Sequence, residues 1–107
     1  MATLSTHVLD TTSGEPAAGV AVELSTRGTR IAGGTTDADG RIGAVGPDRL
    51  EPGDYVLTFD TGGYHRATGQ IGFYPRVSIE FTVTDGEAHY HVPLLLSPFG
   101  YATYRGS

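Results

Sequence analysis

Hydrophobic and polar positions alternate along this chain in short bursts separated by glycine and proline, the signature of half-buried strands joined by tight turns. The first burst, Leu4–Asp10 (LSTHVLD), puts Leu4, Thr6 and Val8 toward a core and leaves Ser5, His7 and Leu9 outside. Residues 20–25 (VAVELS) alternate in the same way, with Val20, Val22 and Leu24 on one face. Residues 30–35 read as a weaker strand and residues 41–45 as a short one. Between them, TTDADGR is a turn, with Asp37 and Asp39 suited to its bends and Gly40 free to take positive φ. EPGDYVLTF is a turn feeding a strand whose Tyr55, Leu57 and Phe59 share a face, and TGGYHRATG has room for one helical turn, in which His65 beside Arg66 reads as solvated. Val77–Val83 alternates again, Asp85-Gly86 turns the chain, and the next strand runs to Leu96 before Ser97-Pro98 breaks it; residues 99–104 form the last strand. Seven or eight short strands with regular turns predict an all-β sandwich with one short helix, built as a single domain over residues 1–107.

The strand before Ser97-Pro98 says more than its existence. Tyr90, Val92, Leu94 and Leu96 fall on one face and belong to the core; His89, His91, Pro93 and Leu95 fall on the other. An outer face that carries Pro93 and Leu95 needs a cover, most simply another subunit. Pro93 itself lacks a ladder N–H, which suits an edge or a bulge. Histidines from two strands, His7 and His91, are thereby expected on outer sheet faces.

Composition narrows the chemistry. The 107 residues contain no cysteine, which excludes disulfides, thiolate metal sites and a cysteine nucleophile, and all seven cationic side chains are arginine, which excludes lysine Schiff bases. A net charge of -5 argues against nucleic acid and anionic membrane as partners. No apolar run approaches a membrane span and MATLSTHVLD does not read as a signal peptide, so a cytoplasmic location is expected. Ser5, Ser13, Ser25, Ser78, Ser97 and Ser107 lack a nucleophile-elbow context, so water rather than serine is the expected attacking group. Two histidines at i and i+2 with a distant third could ligate a metal, but no carboxylate pattern completes such a set, and no cofactor or metal is expected. A cluster of histidine and arginine fits better: imidazole exchanges protons near neutral pH, and guanidinium holds planar anionic groups by paired hydrogen bonds.

Three stretches, HVLDTTSGEPAAGVAVEL, TTDADGR and HYHVPLLLSPFGYATYRGS, resemble the 5-hydroxyisourate hydrolase family, the transthyretin-related enzymes of purine breakdown. The resemblance spans almost the whole chain, and its terminal Tyr-Arg-Gly-Ser is the most specific mark, absent from the carrier transthyretin that shares the fold. One departure is visible: many relatives carry a tryptophan before the central turn, and this chain, with Ile31 and its neighbours there, has none. The resemblance implies a transthyretin-like sandwich of two four-stranded sheets, a homotetramer, and active sites in a channel where dimers meet. It also implies hydrolysis of 5-hydroxyisourate to 2-oxo-4-hydroxy-4-carboxy-5-ureidoimidazoline. The family's functional positions carry over to His7, Arg41, His91 and Ser107 as catalytic residues, with His7, Arg41, Tyr104 and Arg105 binding substrate; which histidine is the base stays open, and His89 stays outside the set. The alternative is a carrier of small molecules in the same channel. The polarity of His7, Arg41, His91 and Arg105 is the feature that separates the two.

Overall fold

The computed structural model describes residues 4–85 and 88–106. Among these residues nine strands and one helix follow in order: β1 Leu4–Asp10, β2 Glu15–Pro16, β3 Ala21–Thr26, β4 Thr29–Thr35, β5 Arg41–Ile42, β6 Gly53–Phe59, α1 Thr61–Ala67, β7 Val77–Val83, β8 Tyr90–Ser97 and β9 Gly100–Thr103. One sheet has the order β4-β3-β6-β7 and is antiparallel throughout. The other runs β2-β1-β8-β9, with β5 also paired to β1. Because β8 occupies the whole of one edge of β1, the two-residue strands β2 and β5 share its other edge end to end, β5 against Thr6 and His7 and β2 against Leu9 and Asp10. The sheet therefore holds five strands in four positions; β2, a two-residue strand, is too short to show any period in sequence.

Alternation sorts the faces as expected. Leu4, Val8, Leu24, Leu57, Phe59, Leu94 and Leu96 are fully buried between the sheets with Tyr90 and Val92, while Ser5, His7, His91 and Leu95 are half-buried on the outside. Three details differ from the sequence reading. Pro93 lies in an interior strand, not at an edge. It sits across from His7 of β1, and on its other side the register of β8 with β9, resumed at a His91–Gly106 bridge, brings Tyr104 opposite it. The ladder lapses between Thr103 and Gly106, where proline has no N–H to offer. His65 is buried, not solvated: it is 2% exposed, with its ring packed against Gly72. The helix is longer than one turn because Asp60 caps it, its carboxylate accepting the Gly63 amide at 3.0 Å. The Asp85-Gly86 turn includes Gly86, which lies outside the described residues.

A buried carboxylate ties the helix to the end of β1. Asp10 accepts from Tyr64 Oη at 2.8 Å, Gln70 Nε2 at 3.0 Å, and the amides of Thr12 and Ser13 at 2.9 and 3.3 Å. Burial alone would push this carboxyl up, but these donors more than offset it and hold it below the usual carboxylate range. Tyr64 is pushed up to about 12, by burial first and then by the Asp10 carboxylate it bonds. A folded-state value below the unfolded one means that this stability is present above the ordinary carboxylate range and is lost as pH falls through the folded value. Asp10→Ala leaves four donors without their acceptor and is expected to cost about 3 kcal/mol. Urea unfolding at neutral pH checks this, and a loss under about 1 kcal/mol would show the network to be dispensable.

Candidate active site

The turn before β5 aims Arg41. The Asp37 carboxylate accepts the amides of Asp39 and Arg41 at 2.9 and 3.0 Å, and the Gly40 amide donates to the Asp37 carbonyl at 2.9 Å. Gly40 sits at φ +74°, and a Cβ there would run into the Val8 carbonyl, so only glycine fits. Its own carbonyl accepts the Val8 amide at 2.7 Å, which docks the turn on β1 and sets Arg41 directly across the ladder from His7. Gly40→Ala is therefore expected to destabilise the fold by about 2 kcal/mol or more. Thermal unfolding within a degree of the parent would contradict this role.

On the other edge of β1, His7 pairs with Pro93 and Ser5 with His91. Directly opposed residues on one sheet face have Cβ atoms about 5 Å apart, so Ser5, His7, Arg41, His91 and Pro93 form one contiguous patch. Arg41 and His89 are exposed; His7 and His91 are half-buried. His7 Nε2 lies 3.0 Å from the Asp39 carbonyl oxygen. A carbonyl only accepts, so this nitrogen carries the hydrogen and Nδ1 is left as the acceptor in the neutral ring. Ser5 Oγ stands 2.7 Å from His91 Nδ1 and 2.9 Å from His89 Nε2. The chain end closes the far side: the Gly106 amide donates to the His91 carbonyl at 2.8 Å, and a Cβ on Gly106 would meet the His91 ring. Burial pushes His91 below the ordinary imidazole value of 6.5, and the electrostatic influence of Arg41, His7 and His89 pushes the same way. A neutral imidazole beside a guanidinium can take a proton from water, and the guanidinium can hold the oxygen on which negative charge develops.

The sequence profile of the HIUase/Transthyretin family matches residues 4–106. The chain belongs to that family. Among curated members, the 5-hydroxyisourate hydrolase of Mus musculus is 46% identical over 111 residues, covering 97% of this chain and 94% of the mouse protein. That of Caulobacter vibrioides is 45% identical over 115 residues and covers both chains completely. Of solved structures, Klebsiella pneumoniae 5-hydroxyisourate hydrolase aligns with a TM-score of 0.92 at 42% identity, over 100% of this chain and 94% of the other. Sparus aurata transthyretin also aligns at 0.92, with 34% identity over 99% and 97% of the two chains. The HIUase/Transthyretin fold thus hosts both an enzyme and the transthyretins, and shape alone does not separate them.

Of the residues singled out from sequence in this family member, the structure brings His7, Arg41 and His91 together within one chain. Tyr104 is 56% exposed and lines the same cavity as Arg105. Arg105 turns to the other face: its guanidinium lies 4.6 Å from the centroid of the Tyr90 ring, beside a cavity of about 310 Å³ between the sheet edges. Ser107 lies outside the described residues. Sequence reasoning missed Ser5 as part of the site. The signal was available in its alternation with His7, but only the parallel register of β1 with β8 puts it against two imidazoles. Among the described residues no cluster of three or more His, Cys, Asp or Glu could hold a metal ion, and no helix is long and apolar enough to cross a membrane.

Proposed function

We propose that this chain is a 5-hydroxyisourate hydrolase, opening the cyclic amide of its substrate with water to give 2-oxo-4-hydroxy-4-carboxy-5-ureidoimidazoline in the breakdown of purines. One observation carries the reading: His7, Arg41 and His91, from three different strands, share a single polar face on which His91 is half-buried. The 5-hydroxyisourate hydrolases of mouse, Caulobacter and Klebsiella, similar over nearly their full length, support it. His91 takes a proton from the attacking water. His7, whose Nε2–H is committed to Asp39, presents Nδ1 to orient that water or, when protonated, to give its hydrogen to the departing nitrogen. Arg41 binds the substrate's oxygens and offsets the charge on the oxyanion. Tyr104 walls the site and Ser107 orients a histidine or the water, while Arg105, anchored on Tyr90, holds the terminal segment in place.

The proposal includes one domain over residues 1–107, a cytoplasmic location, and a homotetramer in which a second copy covers the outer face bearing His91, Pro93 and Leu95. In a single chain that face is open, with Arg41 exposed to solvent. The carrier alternative predicts an apolar lining, which this patch does not offer. Freshly generated 5-hydroxyisourate distinguishes the two: its ultraviolet absorbance is expected to decay in proportion to added protein. A decay no faster than in buffer would favour the carrier.

A further inference from the structure

The two imidazoles of the proposed site are held by different partners and present different nitrogens. His7 gives its Nε2–H to the Asp39 carbonyl, which leaves Nδ1 for chemistry. His91 is turned the other way. Its Nδ1 lies 2.7 Å from Ser5 Oγ, its Cδ2 edge lies against Gly106, and among the described residues nothing hydrogen-bonds to its Nε2. Nε2 is thus the nitrogen left to meet water, and a base must present a lone pair there. Arg41 favours the same arrangement. Its guanidinium only donates, and on the face it shares with His91 a lone pair is a better neighbour than a second N–H. The ring hydrogen then belongs on Nδ1, and Ser5 can take it. A hydroxyl oxygen has two lone pairs, so it accepts from His91 Nδ1 whichever way its second contact, 2.9 Å to His89 Nε2, runs.

We infer that Ser5 is the positioning residue for His91: its oxygen takes the Nδ1–H, fixes the ring's tautomer and rotation, and keeps the Nε2 lone pair toward the attacking water. The strands supply the precision. Ser5 stands directly across the parallel pairing of β1 with β8 from His91, so both ends of the bond are carried on sheet backbone rather than on a loop. Both residues are half-buried, which limits competition from water for the bond. The Gly106 amide, bonded to the His91 carbonyl at 2.8 Å, brings the chain end against the other side of the ring. The proton drawn from water enters at Nε2 and leaves from Nε2 to solvent, while Nδ1 keeps its hydrogen on Ser5. Each turnover therefore returns the ring to the form in which it began. Without the hydroxyl the ring hydrogen is free to settle on Nε2, the form a histidine ring prefers in water, and that form offers no lone pair at the reacting side.

This inference rests on the proposed hydrolase reading, and the two fail separately. With freshly generated 5-hydroxyisourate, Ser5→Ala is expected to lower kcat about 10–100-fold with KM little changed, the scale on which the outer partner of a working histidine counts. Ser5→Thr and Ser5→Val introduce nearly the same shape and differ in the hydroxyl. The first should regain most of the rate, and the second should not. An active parent whose Ser5→Ala variant keeps its rate, or whose Ser5→Thr and Ser5→Val variants turn over alike, would overturn the role. An inactive parent would instead sink the hydrolase reading. Even then the tautomer is decided by ¹⁵N spectra of the histidine rings at pH 8, independently of activity. They should show His91 with its hydrogen on Nδ1 in the parent and in Ser5→Thr, and a shift toward the Nε2–H form in Ser5→Val. A mere packing defect at position 5 would not move that hydrogen. His91 already in the Nε2–H form in the parent would overturn the inference.

Discussion

His91→Ala is expected to lower the kcat for 5-hydroxyisourate about 10²–10⁴-fold, the range for removing a positioned general base. The fold should survive, because His91 points to the outer face and the core side of β8 is held by Tyr90, Val92, Leu94 and Leu96. Circular dichroism and thermal unfolding separate a lost base from a lost fold. His7→Ala should fall in the same range, since it removes the other imidazole of the patch and frees the Asp39 carbonyl that orients it. A His91→Ala protein that is folded and turns over within about threefold of the parent would remove this residue from the chemistry.

Arg41→Gln carries the second large effect, and it has two readouts. Losing a charge aimed at the developing oxyanion is expected to lower kcat about 10²–10³-fold. The pH profile should also move. The parent's His91 is held below 6.5, by burial and then by Arg41, His7 and His89, so the base stays deprotonated and the acid limb of the rate lies below 6.5. Removing the guanidinium takes away one of those causes, so the limb should shift upward, toward the ordinary imidazole value. The sign for stability is the same: the unfolded chain accepts a proton at His91 more readily than the folded one. The fold therefore loses stability at this residue as pH drops below the ordinary value. A limb that stays in place, or moves to lower pH, would show that Arg41 does not face His91 in the working protein.

Much of this was legible in sequence because period-2 alternation is a direct physical record of a two-faced strand. Leu4–Asp10 and Val77–Val83 came out with their observed bounds, and on β8 the outward His91 and Leu95 are half-buried as expected, whereas Pro93 is buried within the chain itself. What alternation does not encode is which strands are neighbours. The meeting of Ser5 with His89 and His91 depends on a parallel pairing across more than eighty residues of chain, which no local pattern carries. Short range effects were missed for the opposite reason. β2 is only two residues long, and His65 was read from its polar character alone, whereas helix α1 turns it beneath Gly72. The conformation at Gly40 was legible from DG; that the turn docks on Val8, and so aims Arg41 at His7, was not.

The most direct measurement of the central claim is a crystal structure of the assembled protein with a stable analogue of the cyclic substrate. The reacting carbonyl carbon is expected between His7 and His91, about 3–3.5 Å from the position of the attacking water, with Arg41 on the analogue's oxygens and a second chain closing the site. An analogue bound away from His7, Arg41 and His91, for example in the cavity beside Tyr90 and Arg105, would contradict the account.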